Sequence, residues 1–130
     1  MKVVSLIARI LLGLIFLFFG SNVLMSGFGH PFLPMTPPPG VAGQVLGALY
    51  ASHFLILIGL CQVLGGVLML IGLYVTLGLV ILGPVIVCID FFHFSVAQSG
   101  IPMALVVTLL WFVVYWAHRH HLAGIFSKKA

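Results

Sequence analysis

The chain has 130 residues, five lysines and arginines, and a single acidic side chain, Asp90, for a net charge of +4. Charged residues make up 5% of it and hydrophobic ones 63%, with mean hydropathy +1.37, where a soluble domain carries about a quarter charged residues. These values exclude a surface covered by water. Nucleic acid is excluded as a partner too, because the basic residues stand at the chain ends and outline no basic face or groove.

The expected class is an all-α integral membrane protein in one domain, residues 1–130. A helix crossing the ~30 Å hydrocarbon layer takes ~20 residues, so four spans with short connections use the whole chain. A β-barrel needs alternating apolar and polar positions, whereas residues 10–19 and 54–60 are apolar on consecutive positions. The first span is expected over residues 4–25. Lys2 precedes it as in a signal peptide, but no small-x-small site follows, so the helix reads as uncleaved. A Pro/Gly-rich outer segment comes next, residues 27–40, holding His30-Pro31 and Pro37-Pro38-Pro39-Gly40. Proline cannot continue a helix there and favours an extended polyproline form. Residues 41–51 suit a short helix at the interface or over the bundle mouth, kept small on one side by Gly40, Gly43, Gly47, Ala48 and Ala51.

The second and third spans are expected over 53–71 and 76–94. The brief link through Gly72 and Tyr74 makes them an antiparallel hairpin. After a turn at 95–102 the fourth span takes 101–116 and ends in Trp111, Tyr115 and Trp116, where an aromatic belt belongs. Gly13 and Gly20 stand seven residues apart, as do Gly65 and Gly72, so each pair is expected to mark one closely packed helix face. Lys2, Arg9, Arg119, Lys128 and Lys129 are terminal, which puts both termini in the cytoplasm by the positive-inside rule.

Polar groups inside a membrane are expensive and are candidate functional residues. At 1.5 Å per residue, Asn22, His53, Asp90 and His93 fall in one outer layer, with Gln62 as its floor about 13 Å below His53. Asp90 and His93 are i and i+3 on one helix and within reach of each other. Asp90 is expected to be neutral, or paired with His93 or His53. Two readings stand: a self-satisfied structural pair, or a small polar pocket that binds a headgroup or relays protons. No catalytic residue or metal site is assigned; ligation of haem, chlorophyll or a metal through His53 or His93 is an alternative. His118 to His121 read as a solvated basic tail, with a metal or anionic lipid as alternatives. Cys61 and Cys88 read as buried, inert thiols, because helix axes packed 8–10 Å apart rarely bring Cα atoms within the ~7 Å of a disulfide.

Several stretches together resemble the DoxX family of small four-helix bacterial membrane proteins. They are Ala8-Arg9-Ile10-Leu11-Leu12-Gly13-Leu14-Ile15-Phe16, Phe19-Gly20-Ser21-Asn22, and the run from Gln62 through Gly65-Gly66 to Gly72. Phe32-Leu33-Pro34-Met35 with Pro37-Pro38-Pro39-Gly40, and residues 84–93, are similar to a DoxX-like subgroup. The resemblance implies the bacterial inner membrane and an accessory subunit of a quinone-linked respiratory or photosynthetic redox complex. Such a subunit supplies helix-packing surface and a quinone-facing pocket. It implies no cofactor of its own beyond contact with a quinone or pigment; a flavin, iron–sulfur or nucleotide site would come from a partner. Gln62 stands where the family often carries Glu, so a proton role is not expected there, and Cys88 stands where the subgroup is expected to carry Asn. The expected partners are the lipid bilayer and other membrane subunits. The alternative is a homo-oligomer that binds or transports a small apolar molecule. An enzyme in its own right ranks last, since only Asp90 and His93 offer acid–base chemistry.

Overall fold

Where water is absent, every backbone N–H and C=O must find its partner within the protein, which drives apolar stretches into helices. In the computed structural model, which describes residues 2–33 and 38–128, four stretches form helices long and apolar enough to cross a membrane. They are α1 (Lys2–Gly27), α3 (Phe54–Ile71), α4 (Val75–Ser95) and α5 (Ile101–Leu122), with the shorter α2 (Val41–Ala51) between α1 and α3 in the chain. The chain is therefore a multi-pass membrane protein of the all-α class. The triple proline lies partly outside the described residues, so its polyproline form does too.

The four long helices close a ring: α1 packs on α3, α3 on α4, α4 on α5, and α5 back on α1. Leu12 and Phe16 of α1, Met69 of α3, Leu79 and Leu82 of α4 and Val114 of α5 fill its centre. The most intimate contact is between α1 and α3. Gly13, Gly20 and Gly27 recur every seven residues on α1, and Gly59 and Gly66 on α3. Antiparallel packing sets Gly20 against Gln62, Leu24 against Gly59, and Leu17 against Gly66. A Cβ at Gly59 would stand 2.6 Å from the Leu24 Cα, and one at Gly66 2.8 Å from the Leu17 nitrogen. Backbones this close gain dispersion contact, the main attraction left when lipid tails are as apolar as the side chains.

The second expected glycine pair divides. Gly65 faces Leu82 of α4, while Gly72 has left the helix at φ 74° and caps α3, with the Arg9 guanidinium packed against it. Its N–H donates to the Leu68 carbonyl at 3.2 Å, and the Arg9 cation suits the negative end of α3. The last helix continues past Trp116 to Leu122, because no breaker precedes Gly124. Trp111 also departs from the aromatic-belt expectation. Its indole N–H donates to the Leu79 carbonyl at 3.0 Å, and its ring stacks on Tyr115 at 5.4 Å. It sits beside Gly83, next to Pro84, where α4 lacks one backbone donor.

The glycine seam yields a paired prediction. Gly59→Val should destabilise the bundle by about 1–3 kcal/mol through overpacking. Gly47→Ala should stabilise it by about 0.5–1 kcal/mol, since a Cβ at this α2 position meets nothing within 4 Å. Unfolding of the purified protein in mixed detergent micelles measures both.

Candidate functional site

The polar residues gather toward the end of the bundle where α1 stops, α3 starts and α4 finishes. α1 ends when Phe28, Gly29 and His30 turn their N–H groups back onto the Met25 and Ser26 carbonyls, at 2.9–3.1 Å. The chain then doubles back along α1. Phe32 meets Phe18 edge to face at 5.6 Å, and the Leu33 N–H donates to the Asn22 Oδ1 at 2.9 Å. Asn22 is 4% exposed and Gln62, across the seam at Gly20, is 5% exposed. Gln62 is thus buried on the α1–α3 seam, while Asn22 is buried under the returning strap and works as its clasp.

Asp90 lies elsewhere, on the seam between α4 and α5. The Thr108 hydroxyl approaches its two carboxyl oxygens at 2.9 and 2.7 Å, and the Ala104 carbonyl at 2.8 Å. Thr108 carries one hydrogen, so these three acceptors share it. The group is half-buried and lies about 8 Å inside the end of α4. His93, one turn on, does not turn toward Asp90. Its Nδ1 pairs with the Ala97 carbonyl at 3.1 Å, and its ring packs on Gly100 in the following turn. His53 is exposed at the start of α3, in the left-handed region at φ 65°. With Phe28, Tyr50 and Ile56 it lines a cleft of about 430 Å³ at the mouth.

The five candidates therefore occupy four places: Asn22 under the strap, Gln62 on the α1–α3 seam, Asp90 with His93 on the C-terminal part of α4 but bonded to different partners, and His53 in the cleft. Among the described residues, every fully buried side-chain nitrogen and oxygen has a hydrogen-bond partner, and no three His, Cys, Asp or Glu side chains group as a metal site. Cys61 and Cys88 are free thiols. Cys88 is exposed on the outer face of α4, contrary to the expected burial, because Leu82 and Ile86 take the inward positions. Thr108 is the residue that reading the sequence missed. Its signal was present: it is the one aliphatic hydroxyl in the apolar run 101–117.

The arrangement can hold a carboxyl group between two helices and presents an aromatic-lined cleft at the mouth. Comparison of the chain with protein-family models, curated proteins and solved structures returns no match.

A double-mutant cycle tests the α4–α5 pair. Asp90→Ala and Thr108→Val should each destabilise the bundle, with a coupling between them of about 0.6 kcal/mol and at most roughly 1.7 kcal/mol, the usual range for hydrogen bonds between helices in membranes. Additive losses would show that Thr108 and Asp90 act separately.

Proposed function

We propose that this four-span bundle is an accessory subunit of a larger membrane assembly, held to its partner through α2. The observation that carries this reading is the unequal use of small residues. On the spanning helices, Gly13, Gly20, Gly59, Gly65, Gly66 and Gly78 are all occupied by neighbouring helices of the same chain. On α2, Gly47, Ala48 and Ala51 are exposed, together with Gln44 and the capping Gly40. Their spacing of three and four residues puts them on one face, and that face packs on nothing at Gly47. Small residues permit a foreign helix to approach closely.

On the resemblance to the DoxX family, the assembly is a quinone-linked redox complex of the bacterial inner membrane, with both chain termini on the cytoplasmic side. The cleft of Phe28, Tyr50 and His53 adjoins α2 and offers aromatic surface to a quinone ring. His53 is then the ligand contact, while Asn22, Gln62, Asp90 and His93 hold the outer end in shape around it. A second reading uses the same cleft: a homo-oligomer, joined through α2, that binds a small apolar molecule.

Native mass spectrometry of the protein taken from its own membrane in mild detergent separates the two. The wild-type chain is expected to migrate with foreign membrane subunits, and Gly47→Leu to release a folded, unaccompanied chain. A bare homo-oligomer carrying a defined small mass would replace the subunit reading with the binder.

A further inference from the structure

We propose that the opposite end of the bundle holds one anionic phospholipid, its phosphate bound in a cleft between α1 and α5. The cleft has a volume of about 550 Å³ and is lined by Lys2 and Arg9 of α1 and by His118 and Arg119 of α5. Leu6 and Trp116 supply an apolar wall beside the three cations Lys2, Arg9 and Arg119.

Three features favour a lipid phosphate. The first is that the cations have no carboxylate side chain of the chain to pair with. Asp90 is the only acidic side chain, and it stands about 22 Å along α4 from Val75, the end nearest this cleft. That is beyond the ~8–10 Å over which exposed charges act at physiological salt. The second is that Arg119 is already oriented. Its Nη1 donates to the Trp116 carbonyl at 2.5 Å, and its guanidinium lies 4.4 Å over the Trp116 indole. The remaining donors of that planar fork suit phosphate oxygens. The third is the juxtaposition of a cationic floor with an apolar wall. Leu6 and Trp116 are 45% and 55% exposed, on helices that cross the membrane, so glycerol and acyl chains have surface to lie on. Basic pockets between spanning helices bind anionic headgroups in this way. A free phosphate uses the cations but leaves the apolar wall bare. A zwitterionic lipid brings a cation of its own into a cationic site.

The test uses the full chain, delipidated in detergent, and native mass spectrometry with added lipid. Phosphatidylglycerol should be retained in preference to phosphatidylcholine of the same acyl chains, and millimolar inorganic phosphate should not displace it. Lys2→Gln with Arg119→Gln should weaken phosphatidylglycerol on the order of thirtyfold, at ~1 kcal/mol for each basic residue. Arg9 is left intact because its guanidinium also packs against Gly72. Lys128→Gln removes one charge from a residue that does not line the cleft, and it should leave binding unchanged. The proposal fails if the two lipids bind equally, if the double variant keeps its preference, or if Lys128→Gln weakens binding as Arg119→Gln alone does. Displacement by inorganic phosphate would overturn the lipid as the ligand and leave a free-anion site.

Discussion

Close approach of two backbones, α1 and α3, is the constraint on which the remaining geometry depends. In lipid there is no gain from hiding one apolar surface against another, so a bundle is held by contact distance and by hydrogen bonds. Gly13, Gly20, Gly59 and Gly66 remove the side chains that would keep the axes apart. Their interlock also fixes how far one helix is slid along the other. That sets Gln62 against Gly20, and brings Arg9 to Gly72 at the opposite end. A slip by one turn would separate both pairs at once.

The lengthwise order of this protein was legible in its residues, and its lateral order was not. The four spans, the short helix at Val41–Ala51 and the hairpin through Gly72 all follow from hydropathy, glycine and proline. Position along a helix was readable because it needs only a rise per residue. Facing was readable only where glycines mark a face, as Gly13 and Gly20 do on α1; elsewhere a helix whose neighbour on one side is lipid and on the other is leucine is apolar all round. Nothing in the text of α4 says that Leu82 and Ile86 turn inward and Cys88 outward. For the same reason the i, i+3 spacing of Asp90 and His93 suggested a pair, while Asp90 bonds Thr108 across the seam and His93 bonds the turn after it. Trp111 shows a third form of the problem. Its place near the end of a span matched an aromatic belt, and only the neighbouring backbone at Leu79, near Pro84, explains why it turns inward.

The molecule is also electrically lopsided along its axis. Its single acidic side chain is at the end where α4 finishes; Lys2, Arg9 and Arg119 are at the end where α1 begins. Among the described residues, the polar groups are satisfied by hydroxyls, carbonyls, a helix terminus and an indole face rather than by opposite charges. Such partners avoid the cost of drying two ions for one attraction. They also leave the cations available to whatever lies outside the chain.

The packing of Arg9 on Gly72 bears on how the protein is made. Synthesis delivers α1 to the bilayer dozens of residues before Gly72 leaves the ribosome. Until then Arg9 has neither the carboxyl end of α3 nor the close glycine surface that receive it in the finished bundle. A nascent chain halted anywhere short of α3 therefore holds a cation near the membrane edge with only headgroups and water for company. The contact that receives Arg9 is completed only when Gly72 arrives.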